Sequence, residues 1–381
     1  MKISSTEKKT FQTHLIRWFR KNQRKMPWRG IRDPYPIWIS EIMLQQTQVK
    51  TVIPHYQRFI GRFPTVRKLA EAPLSDVMKA WEGLGYYARA RNLHKAAKDI
   101  CRNYHENLPD HLEGLMSLAG IGPYTAGAIL SIAFQKPVPI LDGNIIRVLS
   151  RYFHVTDSVD KSLTKKYLWS ISNALLPDFS ISDFNQGLME LGSEICLPRN
   201  PHCTKCPVRQ GCRAWKLKIP HLLPVRNPKK PIPHFDVTAG VIWKKDKVLI
   251  TLRPAKGLLG SLWEFPGGKK ERGETLEECL HREIMEELGI RIRIIGKLTS
   301  IRHAYTHFKI TLHVYQCKYD QGTLRLHACD DFHWIRLEEI NRYAFPAADI
   351  KVIELLIGKT GPIHHERGGI HGINDLKGKT P

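Results

Sequence analysis

The chain has 381 residues, long for one domain and comfortable for two, each large enough to bury its own core. Its 59 Lys+Arg against 36 Asp+Glu leave a formal charge of +23, which points to a polyanionic partner because these side chains displace condensed counterions from phosphates. Met1 to Arg24 is basic without the apolar core of an export signal, and no stretch approaches the about 20 apolar residues of a membrane span; the expectation is a cytoplasmic protein without a membrane partner.

From Thr6 to about Trp215 the periodicity is helical. Runs such as Leu69–Leu84, Arg89–Tyr104 and Leu163–Leu176 repeat apolar residues at three and four, and no strand is expected. Glu41 lies in the mostly apolar run "IWISEIMLQQTQV" and shares a helical face with Gln45 and Gln48. That face reads either as a solvated polar stripe or as an acid beside apolar walls, where desolvation lets it hold a proton near neutrality. In "LAGIGPYTAGAIL", Gly120 and Gly122 bracket a tight turn and Pro123 suits a first helical position. Exposed N–H groups there suit a DNA phosphate, and a helix–turn–helix packing joint would look the same. A dinucleotide fingerprint is excluded, since no strand precedes the turn. Asp142 in "PILDGNIIRVLSR" stands before a helix, as a cap or as a functional acid.

Cys196, Cys203, Cys206 and Cys212 follow, four of the eight cysteines within one short stretch. In a reducing compartment such a group signals zinc or an iron–sulfur cubane, and spacing alone does not choose between them. Arg199, His202, Lys205 and Arg209 are interleaved, so a site here would pin a basic loop against DNA. From Arg213 to His234 five prolines and several basic residues read as an extended linker unable to sustain a helix. Beyond it Val237–Trp243 and Lys247–Leu252 read as strands around a turn at Lys244–Asp246. Leu276–Leu288 reads as a helix, and Lys309–Lys318 and Phe332–Ile335 as further strands. The division expected is 6–215 helical, 216–234 linker, 235–357 α+β, and a Gly-, Lys- and His-rich disordered tail over 358–381.

Six segments in order, "PWRGIRDPYPIWISEIMLQQTQV", "GLGYYARARNL", "LAGIGPYTAGAIL", "LDGNIIRVLSR", "FNQGLMELGSEIC" and the cysteine spacing, carry a resemblance. From Pro27 to Cys212 the chain resembles the helix–hairpin–helix DNA glycosylases with an iron–sulfur cluster, and more narrowly the A/G-specific adenine glycosylase (MutY) family. The resemblance implies that Glu41 protonates adenine at N7, while Asp142, supported by Asn144, stabilises the sugar cation. Tyr124 stands where bifunctional relatives carry a lysine, so base removal without efficient strand cleavage is expected. Trp28, Arg29 and Gln186 match the adenine pocket, and Gln46 and Tyr86 the residues that enter the duplex beside an extruded base. The cysteines match ligands of one 4Fe–4S cluster. The implied partner is double-stranded DNA with an 8-oxoguanine:adenine or guanine:adenine mispair, met by a monomeric, nucleoid-associated enzyme.

The remainder resembles the Nudix fold, the second domain of that family, which checks the opposite strand for 8-oxoguanine. Tyr305, Thr306 and His307 match the tip of its lesion-contacting loop, with Tyr for the commoner Phe and Thr for Ser. The Nudix box, usually eroded in the family, is complete here: Gly268, Glu274, Arg282, Glu283, Glu286, Glu287 and Gly289. Glu283, Glu286 and Glu287 fall on one helical face, either as a divalent-metal (Mg) site or as a solvated acidic stripe. Three rivals stay in view: an endonuclease III-like glycosylase and lyase, a Nudix pyrophosphohydrolase acting on oxidised nucleotides, and a non-catalytic DNA-binding protein.

Overall fold

The computed structural model describes residues 3–228 and 231–359. Its first part is helical: α1 (Ser5–Asn22), α2 (Pro34–Leu44), α3 (Val49–Arg62), α4 (Val66–Glu71), α5 (Leu74–Trp81), α6 (Ala88–Asn103) and α7 (Leu112–Ser117), then α8 (Pro123–Ile132), α9 (Gly143–Phe153), α10 (Ser162–Leu175), α11 (Ile181–Glu194) and α12 (Arg213–Lys216). Two apolar cores divide these helices. One gathers Trp38, Val52, Phe59, Leu69, Trp81 and Leu93 from α2 to α6. The other gathers Phe11, Leu15, Val148, Leu168, Phe184 and Leu188 from α1 and α9 to α11. Helix α2 serves both, sending Ile37 into one lobe and Trp38, Ile39 and Ile42 into the other, which is why its sequence is apolar nearly all round. None of the helices described is long and apolar enough to cross a membrane.

The second part is a mixed sheet of β1 (His234–Lys244), β2 (Lys247–Leu252), β3 (Trp263–Glu264), β4 (Ile290–Ala304), β5 (Lys309–Gly322) and β6 (Asp331–Ile335), with α13 (Leu276–Leu288) and α14 (Ala347–Lys359). The strand order is β3-β2-β1-β5-β4, with β6 also on β2; β1 and β5 run parallel and the other pairs antiparallel. One face packs Val241, Val248, Leu312 and Val314 against Phe345, Val352 and Leu356 at α14, and the other packs Ile242, Leu249 and Tyr315 against Leu280 and Ile284 of α13.

Several expectations are corrected. The run Leu69–Leu84 is two helices, because Pro73 holds Ala72 extended and ends α4. Helix α2 stops at Leu44, so Gln45 and Gln48 flank a turn and do not share Glu41's face. The proline-rich stretch sustains one helical turn at Arg213–Lys216 and a 3-10 turn at Pro220–Leu222. It also lies against the helices, with Val159 N donating to Val225 O at 2.9 Å and Asn227 N to Asp160 Oδ2 at 2.8 Å. Strand β4 and helix α14 were not anticipated. The tail expected to be disordered begins inside α14; residues 360–381 lie outside the described residues.

The two parts touch through apolar packing, with Leu262 and Ala344 joining the core of α2 to α6, and through hydrogen bonds. Lys79 Nζ donates to Tyr343 O at 2.9 Å, Phe345 N to Glu82 Oε1 at 3.0 Å, and Tyr87 Oη to Phe345 O at 3.2 Å.

Candidate active site

Helix α2 starts on Asp33, whose carboxylate accepts from Tyr35 N, with Pro34 at the first position. Running between both lobes, it leaves Glu41 only 5% exposed. Helix α8 begins at Gly122 and Pro123 and carries Tyr124 in its first turn, whose hydroxyl donates to Glu41 Oε2 at 3.2 Å. Asp142 caps α9: Oδ1 accepts from Ile145 N at 2.7 Å and Oδ2 from Asn144 Nδ2 at 3.0 Å. These groups line one cavity of about 610 Å³ with Trp28, Arg29 and Gln186. Seven side chains separated by up to 158 positions in the sequence thus share a pocket of the size that takes a small ligand.

The electrostatics follow from burial. Desolvation pushes the Glu41 carboxyl up to about 7, with the negative field of Asp142 adding to it and the Tyr124 hydrogen bond and Arg29 opposing it. Asp142 is also raised by burial, while the N–H of Ile145 and the amide of Asn144 work to keep it ionised. The pocket therefore holds one carboxyl poised to carry a proton and a second whose hydrogen bonds favour its anion against burial.

Two groups that the sequence reading passed over complete the walls. Glu190, 2% exposed, receives Arg24 Nε at 2.7 Å and Arg29 Nη2 at 3.0 Å. Burial opposes its charge, but the two arginines hold its carboxyl below the ordinary range. Nε and Nη1 of Arg29 are buried without a hydrogen-bond partner among the described residues, and the guanidinium lies 4.9 Å from the centre of the Phe19 ring. A glutamate one helical turn after Gln186 was the available signal. Arg147 is the second: it donates to Asn144 Oδ1 at 2.9 Å, Gly192 O at 2.6 Å and Cys196 O at 2.6 Å. Helix α11 lies very close here, since a Cβ on Gly192 would stand 2.6 Å from the Cβ of Asn144.

One turn further along α9, Arg151 donates to Cys196 Sγ at 3.3 Å and Leu197 O at 2.7 Å. Cys196, Cys203, Cys206 and Cys212 line one small cavity with Val148, Tyr152 and Leu191. None forms a disulfide, and burial pushes the Cys206 thiol up to about 12. Four soft donors on a shared apolar cavity suit a thiolate-bound group. Among the described residues, however, no three His, Cys, Asp or Glu side chains stand close enough to grip a metal ion.

The remaining predicted residues lie outside this pocket. Gly120 adopts φ +80° in the turn before α8, a conformation that favours glycine, and Gly122 leaves the first-turn N–H groups without a side-chain acceptor. Gln46 and Tyr86 are exposed on two neighbouring turns, and the Tyr86 hydroxyl meets that of Thr306. His307 is exposed beside it. Tyr305 is half-buried, stacked on Phe308 with ring centres 4.8 Å apart, and faces a second cavity of about 470 Å³. Glu283 and Glu287 line that cavity with Arg253, Glu264 and Asp349. Arg282 binds Glu274, Glu283 and Glu286 at 2.8–3.0 Å, and burial with the nearby Glu264 raises Glu287 to about 8.

Residues 39–174 match the profile of the HhH-GPD superfamily base excision DNA repair proteins, and residues 238–355 that of the NUDIX domain. The adenine DNA glycosylase of Buchnera aphidicola subsp. Acyrthosiphon pisum is 36% identical over 299 residues, covering 78% of this chain and 83% of its own. The chain belongs to the adenine DNA glycosylase family. The human adenine DNA glycosylase is 31% identical over 406 residues, covering 92% of this chain and 74% of its own. A thermostable thymine-DNA glycosylase structure superposes on 57% of this chain and 100% of its own, with a TM-score of 0.52 and 29% identity. As an adenine DNA glycosylase the chain is a base-excision repair enzyme that hydrolyses N-glycosyl bonds. Its fold is a helix–hairpin–helix glycosylase domain followed by a Nudix-like α+β domain.

Proposed function

We propose that this enzyme removes adenine mispaired with 8-oxoguanine or guanine, as a monomer acting on duplex DNA, without cutting the strand. One observation carries the chemistry: a carboxyl raised to about 7 shares one pocket with a capping, hydrogen-bonded carboxylate. Adenine turned into the pocket lies between Trp28 and Arg29, with Gln186 on its edge. Glu41 gives its proton to N7, and the N9–C1′ bonding electrons leave with the neutral base. Asp142, held by Asn144, stabilises the cation left on the sugar, and water adds at C1′. Tyr124 supplies no amine, so no Schiff base forms and the product is an intact abasic strand.

The cysteines Cys196, Cys203, Cys206 and Cys212 would hold one 4Fe–4S cluster, which supplies structural cross-linking of the basic loop. Arg147 and Arg151 tie that loop to the helix that Asp142 caps. The glycine turn at Gly120 and Gly122 suits a DNA phosphate. Gln46 and Tyr86 are the side chains that enter the duplex, and Thr306 and His307 at the exposed loop tip face the opposite base, with Tyr305 behind them against the second cavity. The Nudix box is read as structural, with Arg282 engaged by Glu274, Glu283 and Glu286 together.

The test is a duplex bearing the mispair, analysed with and without alkali. Adenine release with breaks only after alkali is expected. Breaks without alkali would indicate the lyase. No base release alongside magnesium-dependent triphosphate hydrolysis would indicate a Nudix pyrophosphohydrolase, with Glu283, Glu286 and Glu287 as its metal ligands.

A further inference from the structure

Arg89 lies in the first turn of α6, where the helix dipole disfavours a cation, and is 9% exposed. No carboxylate pairs with it among the described residues. Its two terminal nitrogens are satisfied instead by two sets of acceptors, while Nε is buried without a partner among the described residues. Nη1 donates to the carbonyls of Ile42 at 2.8 Å, Met43 at 2.9 Å and Gln45 at 2.5 Å. Nη2 donates to Thr47 Oγ1 at 3.1 Å, Leu84 O at 3.2 Å and Gly85 O at 3.1 Å. The same group sits over the rings of Trp81 and Tyr86, 5.3 and 5.4 Å from their centres.

The pattern of acceptors is specific. Gln45 and Gly85 are the residues immediately before Gln46 and Tyr86, so Arg89 holds the peptide plane that leads into each of them. Gln46 has φ +58° and Tyr86 φ +50°. Side chains other than glycine enter that region only where their surroundings enforce it. The carbonyls of Ile42 and Met43 end α2, so the same cation also closes the helix that carries Glu41. A lysine cannot reproduce this, since its ammonium is a point donor and cannot span two turns as a planar fork does.

We propose that Arg89 is a positioning residue for base extrusion: it fixes the Gln46 and Tyr86 turns at one separation so that both side chains enter the duplex together. This rests on the reading that Gln46 and Tyr86 are the entering residues. Buried charge without a carboxylate is costly, and a packing role alone would be met by an apolar side chain. The sharing of one guanidinium between two strained turns is what extrusion requires and packing does not.

The test uses the full chain with Arg89→Lys and two substrates, a duplex with mispaired adenine and the same strand with that adenine in a single-base bulge. Base release from the paired duplex should fall about tenfold or more, the loss expected when charge-assisted hydrogen bonds to buried carbonyls are broken. Release from the bulge, where extrusion is already granted, should stay within about threefold. Equal loss on both substrates, or a shifted pH profile on the bulge, would show that Arg89 only supports α2 and would overturn the proposal. Should Arg89→Lys lower Tm too far to assay, Thr47→Val removes one of the six bonds and should give a smaller split in the same direction; no split there also counts against it. Tyr86→Ala is measured in parallel. If it leaves release from the paired duplex unchanged, the underlying reading of Tyr86 fails, independently of any Arg89 result.

Discussion

In the proposed reaction, Glu41→Gln isolates the proton on which base release depends. The carboxyl rises from 4.5 to about 7 on burial, so holding its charge in the folded enzyme costs about 3 kcal/mol. Near pH 7 about half the molecules carry the proton, and above that the competent fraction falls about tenfold per pH unit. Adenine release under single-turnover conditions should therefore be flat in mild acid and decline with a midpoint near 7. Glutamine fills the same space without a transferable proton, so release should drop by about two to four powers of ten, the usual worth of a positioned acid. Binding to mispaired DNA should persist. Stability gives an independent reading with a definite sign. The folded carboxyl binds its proton more tightly than the unfolded one, so wild type loses stability as pH rises from about 4.5 through about 7 and the loss is complete above. Glu41→Gln should therefore raise Tm at pH 8 and leave it unchanged at pH 4. Tyr124→Phe removes a hydrogen bond that favours the carboxylate, and should move the activity midpoint to higher pH. A midpoint near 4.5, or release by the glutamine variant at the wild-type rate, would refute the reasoning.

Asp142→Asn keeps an oxygen to cap Ile145 N, so Tm should change little, while the lost anion should slow release by about a hundredfold to a thousandfold in the same single-turnover assay. Purified protein should be brown, and Cys203→Ser should bleach it and weaken DNA binding; a colourless protein holding zinc would overturn the cluster. Affinity for the mispaired duplex should fall linearly on a log–log plot against salt, and a flat plot would mean that phosphates are not the main contact.

Much of the architecture was legible because it was written in local chemistry. Pro123 after Gly122 marked the start of α8, Asp142 marked the start of α9, and the run Leu276–Leu288 marked α13. What failed was decided by partners distant in sequence. Strand β4 lacks a clean alternation because register shifts interrupt its pairing with β5, so only the sheet reveals it. Helix α14 is held by the sheet face it covers. For the site, Glu41 and Asp142 could be singled out, but only the resemblance said that they meet. Glu190 stayed hidden because its partners, Arg24 and Arg29, lie more than 160 residues upstream. The inward turn of Tyr305 depends on Phe308, and nothing in "AYTHF" says which aromatic faces the solvent.

Gly192 has a consequence for how this enzyme can vary. The pocket's two walls, one bearing Gln186 and Glu190 and the other Asp142 and Asn144, meet where a residue contributes only a hydrogen atom. A single added methyl, the mildest change available to a protein, would wedge them apart at their tightest crossing. Tolerance at this position is therefore set by ångströms rather than by chemistry, and a harmless-looking alanine there would silence the enzyme without touching any group that reacts.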